Sequence, residues 1–449
     1  MLNVTHLDRL FDKFRIYADR RAVVEGDYQY SYSALAQAVE EATEALDHHA
    51  VQAGAVVGLQ AEFSFAAIAM ALALFRRRAV AVFISPNLPN PLPLLEETSA
   101  EGIFSWDADG ARFFRPLKEH APHLLLRKLR QEGRSGFVVF TSGSGGKPKA
   151  VLHDLERFLE RYSGALKPYT TMAFLLFDHI AGIDTMFYTL HAGGDLVLVK
   201  NRRPGEIINL IERWSVAVLP VSPSFLKLMC MGEIPHGVDL TSLKIITFGS
   251  EPIDLATLTS VQQIFPNVKI SQKYGASEFG APRAQTRGDD SRWIKLQSRT
   301  VHTRIVDSVL WLKSPTTMLG YLNSDNSVLH DGWFCTGDLV EIEGDWIRVL
   351  GRQSDIINVG GEKVFPAEVE AVVQELEDVI EVAVSGEPHP MLGEIVTASV
   401  RIAAGGVDDT TLRKLVRQHC LGRLERYKVP VKITSTTKSL VNDRQKVVR

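Results

Sequence analysis

Residues 141–151 read Thr141-Ser142-Gly143-Ser144-Gly145-Gly146-Lys147-Pro148-Lys149-Ala150-Val151, and the rest of the chain is best read outward from them. Three hydroxyls and three glycines stand between an apolar run over 137–140 and a helical pattern that begins near Asp154. A loop of this composition can turn backbone N–H groups and hydroxyls toward phosphate oxygens, with lysine adding charge. It is not a Walker loop: Thr141 stands where the first glycine belongs and Pro148 where the hydroxyl that binds Mg²⁺ belongs. The dinucleotide pattern GxGxxG also fails at Pro148. Taken alone, such a stretch has a plainer reading as a flexible surface linker.

On its N-terminal side, residues 29–47 read as an edge strand, a serine cap and an amphipathic helix with Leu35, Val39, Ala42 and Leu46 on one face. Apolar runs at 56–59 and 80–84 alternate with helical segments and predict a parallel sheet. The apolar stretch 63–75 is too short to cross a bilayer and runs into three arginines, so it predicts a buried helix. Residues 100–136 read as an irregular, charged linker. On the C-terminal side a helix is expected over 154–165, with strands at 173–177, 196–199, 216–221, 244–248 and 268–272. A β-rich subdomain is expected at about 283–350, and a β-α-β-β-α pattern after Arg352.

The 449 residues, 45% hydrophobic and 23% charged, are enough for two or more globular domains. A net charge of −3 gives no whole-chain argument for nucleic acid or an anionic membrane. Cys230, Cys335 and Cys420 lie far apart without metal-ligand spacing, which points away from zinc and disulfides and toward a reducing compartment. The N-terminus has no basic leader followed by an apolar core, so a cytoplasmic protein is expected. Charge splits late in the chain: residues 353–400 hold ten acids and one base, residues 411–449 eleven bases and two acids.

Four further islands give the loop its context. Gln272-Lys273-Tyr274-Gly275-Ala276-Ser277-Glu278 follows a predicted strand and offers an aromatic face, a hydroxyl and a carboxylate. Thr336-Gly337-Asp338 could accept the hydroxyls of a ribose. Gly351-Arg352-Gln353-Ser354-Asp355 and then the segment from Asn358 to Glu370, with Gly360-Gly361, come next, and Asn442-Asp443-Arg444-Gln445-Lys446 stands near the end.

In order and spacing these islands resemble the adenylate-forming superfamily of acyl-CoA synthetases, carrier-protein adenylation domains and beetle luciferases. The resemblance covers nearly the whole chain. It implies a large N-terminal α/β domain with layered sheets and helices and a small β-barrel-like subdomain (1–352), followed by a small mobile α+β domain (353–449). It further implies that Thr141, Ser142, Gly143, Ser144 and Lys149 hold the β- and γ-phosphates of ATP. Tyr274 and Gln272 would face adenine, Ser277 the α-phosphate, Glu278 a Mg²⁺ ion, and Asp338 and Arg352 the ribose. Lys446 would reach the substrate carboxylate and α-phosphate, Ser354 would lie at the hinge, and Gly360 and Gly361 would line the thiol tunnel. The chain departs from the pattern at Gly145, which lacks a hydroxyl, at Ser277 in place of threonine, at Gln445 in place of glycine, and at Ser354.

The acyl pocket is expected around Asp178, His179 and Gly249. If His179 matches the Phe-His-x-x-Gly pattern of acyl ligases, the substrate is a plain carboxylic acid; if Phe177-Asp178 matches amino-acid adenylation domains, Asp178 could pair with an α-amine. The implied activity is an ATP-dependent acid:CoA ligase in a monomer or homodimer, with no nucleic-acid partner and no membrane span. A carrier-protein thiol or an amine in place of CoA, or a non-catalytic nucleotide-binding protein, are the alternatives.

Overall fold

The computed structural model describes residues 4–107, 110–118, 120–141, 147–232, 237–249, 253, 255–288, 292–296, 300–376, 378–402 and 407–440. Ser142, Gly143, Ser144 and Lys446 therefore lie outside the described residues.

Two seven-stranded sheets form the large N-terminal part. In the first, the order is Gly320–Tyr321, Lys149–Asp154, Gly136–Thr141, Val80–Ile84, Val56–Gln60, Gly102–Trp106 and Arg112–Pro116. In the second, it is Lys269–Lys273, Ile245–Gly249, Val218–Val221, Thr170–Ala173, Asp195–Leu198, Arg21–Glu25 and Tyr28–Ser31. The expected parallel pairing of the strands at 56–59 and 80–84 is present, and the expected edge strand is Tyr28–Ser31, which pairs antiparallel to Arg21–Glu25. The expected linker at 100–136 is instead structured: Gly102–Trp106 runs parallel to Val56–Gln60, Arg112–Pro116 caps the sheet edge, and Leu124–Gln131 is a helix. The edge strand escaped notice because arginines flank Phe113 and Phe114 and its side chains are mostly exposed, which leaves no buried alternation to read.

Helices pack between and around the sheets because their apolar faces have no other cover. Ser31 caps the Tyr32–His48 helix by accepting from the Ala34 N–H, and Leu35, Val39, Ala42 and Leu46 are buried as expected. The Phe65–Arg76 helix is apolar all round and is buried without a break from Ala67 to Phe75, as a central helix between layers must be. Replacing Leu72 there by alanine is expected to cost about 2–5 kcal/mol of stability. The expected helix at 154–165 is shorter, an α-turn over Leu155–Leu159 continued as a 3₁₀ turn to Tyr162.

The β-rich subdomain is a curled antiparallel sheet whose central strands, Trp333–Glu343 and Trp346–Arg352, run between Trp293–Leu296 and Val309–Lys313. Beyond Arg352 a smaller α+β unit has its own core, built from Val364, Val369, Val384, Val396, Val400 and Val416. No helix among the described residues is long and apolar enough to cross a membrane.

Candidate nucleotide and acyl site

The glycine-rich stretch is flanked by two neighbouring antiparallel strands. Thr141 and Lys149 are paired across the antiparallel strands Gly136–Thr141 and Lys149–Asp154. The exit of the stretch is clamped by Asn323, whose amide donates to the Pro148 carbonyl (2.9 Å) and to Glu97 (2.5 Å) and accepts from the Ala150 N–H (2.7 Å). Lys147 pairs with Glu97 at 2.7 Å. Lys149 instead sits 5.0 Å from the centre of the Tyr321 ring, a cation–π contact that leaves its ammonium without an ion pair among the described residues.

Tyr321 connects this strand pair to the next island, because its hydroxyl donates to Glu278 Oε1 at 2.9 Å. The other Glu278 oxygen has no hydrogen bond or ion pair among the described residues. A carboxylate with one oxygen fixed and one open suits Mg²⁺, which keeps most of its waters and takes one or two protein carboxylates plus substrate phosphates. Among the described residues no group of three or more His, Cys, Asp or Glu side chains gathers to hold a metal ion. The turn carrying Ser277 and Glu278 is held from behind. The Met318 N–H donates to the Glu278 carbonyl at 2.7 Å, and His153 Nε2 donates to the Ser277 carbonyl at 2.6 Å. His153 is fully enclosed, and desolvation pushes its pKa down to about 4, so the ring is neutral at pH 7.

The third group joins residues far apart in sequence. Tyr274, 7% exposed, donates its hydroxyl to Asp338 Oδ2 at 2.7 Å, and Arg352 Nε lies 3.3 Å from Asp338 Oδ1. Asp338 and Arg352 are cross-strand partners in the curled sheet, so register alone brings them together. Burial raises the Asp338 pKa, and Arg352 and the Tyr274 hydroxyl oppose that rise. Gln272 lies two residues before Tyr274, and its backbone N–H donates to Thr286 Oγ1 at 3.1 Å.

The expected acyl-pocket residues divide. Gly249 pairs with Lys273, and a Cβ on Gly249 would lie 2.6 Å from the Lys273 carbonyl oxygen, so glycine is needed there. His179 is the N-cap of the Ile180–Ala192 helix, with Nδ1 accepting from the Ala181 N–H at 3.3 Å. Gly182 is required for packing: a Cβ there would come within 2.0 Å of the Leu176 carbonyl oxygen. Asp178 is buried with Arg202 among its charged neighbours and lines, with Phe177, Glu62 and Asn87, a cavity of about 200 Å³. In the smaller unit, Ser354 lies in the 3₁₀ turn Gln353–Asp355 directly after Arg352, and its hydroxyl donates to Asp355 at 2.8 Å. Gly360 and Gly361 have φ of 62° and 95°, the two consecutive left-handed residues that a tight hairpin turn demands.

Sequence reading gave no role to Asn323, Tyr321 or His153. The first two lie some 170 residues from the loop they brace, and His153 falls on a strand where its alternation reads as ordinary core.

The chain matches two family models, "AMP-binding enzyme" over residues 10–322 and "AMP-binding enzyme C-terminal domain" over residues 368–445. It is 27% identical over 341 residues to 4-coumarate--CoA ligase-like 6 of Arabidopsis thaliana, covering 66% of this chain and 59% of that protein. It is 28% identical over 323 residues to 2-succinylbenzoate--CoA ligase of Listeria monocytogenes serotype 4b (strain F2365), covering 68% of this chain and 67% of that one. In fold it is similar to the crystal structure of the anthranilate CoA ligase AuaEII in complex with anthranoyl-AMP, with a TM-score of 0.84, 19% identity, and coverage of 99% and 95% of the two chains. The chain belongs to the AMP-binding enzyme family, the adenylate-forming superfamily that its motif order resembles.

Proposed function

We propose that this chain is an ATP-dependent, AMP-forming acid:CoA ligase. The observation that carries the reading is the convergence of separate motifs through side-chain contacts: Lys149 to Tyr321 to Glu278, and Tyr274 to Asp338 to Arg352. A 4-coumarate--CoA ligase-like protein and a 2-succinylbenzoate--CoA ligase among its relatives favour a carboxylic acid as substrate and CoA as acceptor.

In this reading Tyr274 and Gln272 form the adenine wall and Asp338, braced by Arg352, takes the ribose hydroxyls. Thr141, Ser142, Gly143, Ser144 and Lys149 hold the β- and γ-phosphates, Ser277 faces the α-phosphate, and Asp178, His179 and Gly249 bound the acyl side. A substrate carboxylate oxygen attacks the α-phosphorus, the bond to the bridging oxygen breaks, and pyrophosphate leaves with its electrons. The acyl-adenylate remains. A Mg²⁺ ion held by Glu278 would supply positive charge where the phosphates crowd negative oxygens. Lys446 neutralises the approaching carboxylate, and preorganised charge of this kind is the main source of rate. A thiolate of CoA then attacks the acyl carbon and expels AMP, its proton going to solvent. We place the domain boundary after Arg352, so that rotation about Ser354 exchanges Lys446 for Gly360 and Gly361 at one site.

The test is pyrophosphate release from ATP and Mg²⁺ with a panel of carboxylic and amino acids, with and without CoA, for wild type and Lys446→Ala. Release that requires one acid class, rises with CoA and collapses in the variant supports the ligase. Release that CoA never consumes sends the acyl group to a carrier-protein thiol or an amine. Silence with every acid returns the chain to nucleotide binding alone.

A further inference from the structure

Lys273 stands between Gln272 and Tyr274 at the end of the Lys269–Lys273 strand, directly opposite Gly249. Its Cβ would lie 3.4 Å from a Cβ on Gly249, so the two positions share a face of the sheet. The neighbouring Phe248 points the other way, into a core with Val221, Phe225 and Ile246. Lys273 therefore leaves the sheet on the side of the Ile180–Ala192 helix, where Asp184, Arg161 and Arg283 are its charged neighbours, with Lys269 farther back along the strand.

Charge on this side does not balance among the described residues. Asp184 is already engaged: it accepts from the Tyr162 hydroxyl at 2.5 Å, and Arg161 Nη1 lies 3.0 Å from it. Arg161, largely buried, spends another N–H on the Ala281 carbonyl, while its Nη1 lacks the alignment of a hydrogen bond. Lys273 and Arg283 make no hydrogen bond or ion pair among the described residues. By area Lys273 is exposed, yet desolvation is the leading cause that lowers its pKa. Those two facts together describe a charge in a recess that water reaches and protein surrounds. Among the described residues, three cations thus share one occupied carboxylate beside Gly249 and the Ser277–Glu278 turn. Each unpaired charge in such a recess is costly unless an anion completes it.

We propose that this recess binds a second anionic group of the acid substrate, remote from the carboxyl that is activated, with Lys273 and Arg283 as its direct partners and Arg161 behind them. The substrate class is then a dicarboxylic acid, or a carboxylic acid bearing another anion. The proposal rests on the ligase reading for the identity of the reacting carboxyl.

The experiment compares straight-chain and aromatic dicarboxylic acids with monocarboxylic acids of equal length in acid-dependent ATP–pyrophosphate exchange, for wild type, Lys273→Leu, Lys273→Arg and Arg283→Leu. In wild type the diacids are preferred. Lys273→Leu and Arg283→Leu each lower kcat/KM for the diacid roughly 10- to 100-fold, the range for a lost charge-assisted hydrogen bond, while the monoacid rate and the KM for ATP stay in place. Lys273→Arg keeps the preference. A wild-type preference for monoacids, or an equal loss for both classes in Lys273→Leu, overturns the proposal. So does a raised KM for ATP with every acid, which assigns the charge to a nucleotide phosphate instead. If no acid supports exchange, the ligase reading fails separately, and calorimetric titration of the diacids into the full-length protein decides: binding lost in Lys273→Leu sustains the recess, and no wild-type binding removes it.

Discussion

The two ends of the site are built on opposite electrostatic plans. At the proposed nucleotide end, Asp338 is shared between Tyr274 and Arg352, and Glu278 is tethered by Tyr321. Around Lys273, by contrast, cations outnumber the one carboxylate among the described residues, and two of the cations have no partner there. In the reading proposed above, the preorganised end holds the nucleotide and the end with charge left over selects the acid. Preorganisation lowers the cost of binding, and leftover charge gives selectivity through the penalty of leaving it unmatched.

The largest effect should come from the one open oxygen at the paired end. Glu278→Gln keeps the contact with Tyr321 but removes the charge, and should lower the rate of acid-dependent pyrophosphate release by about 10²–10³ with little change in the melting temperature. If stability falls instead, Glu278 is a structural tether and the contrast weakens.

His153 offers the second test, on stability. Its folded pKa is depressed from 6.5 to about 4, so the unfolded chain takes up the proton first as pH falls. The neutral ring's contribution is complete above about pH 6.5 and is lost as pH falls from there toward 4, by about 1.4 kcal/mol per unit and roughly 3 kcal/mol in all. Urea unfolding of wild type and His153→Gln across that range should show the difference between them shrinking by that amount. A constant difference would mean that the ring protonates freely in the folded state.

The smallest effect is expected from Tyr274→Phe. It deletes one hydrogen bond to a buried carboxylate still held by Arg352, and should raise the KM for ATP about tenfold while leaving the preference among acids unchanged. A change in acid preference would show that the two ends are not separate.

Much of this division could be read from the chain. The glycine-rich loop, the Tyr274 to Glu278 island, Asp338 and Arg352 declare themselves because each is a local run of unusual residue types, and the alternation of apolar runs at 56–59 and 80–84 gives the parallel sheet. What stayed hidden depends on distance in sequence. Asn323 reaches the Pro148 carbonyl 175 residues away, and nothing near Asn323 announces it. Lys273 sat inside a quoted motif without a role, because its meaning comes from Arg161, Asp184 and Arg283 on other elements. Strand Arg112–Pro116 was hidden by exposure, its phenylalanines flanked by arginines.

The account turns on whether a carboxylic acid makes this chain split ATP to AMP and pyrophosphate. Acid-dependent pyrophosphate release, measured with and without CoA in wild type and Glu278→Gln, asks that directly. The account predicts release that needs the acid, accelerates with CoA and falls at least a hundredfold in the variant. Release that ignores the acid, or equal rates in both proteins, would contradict it.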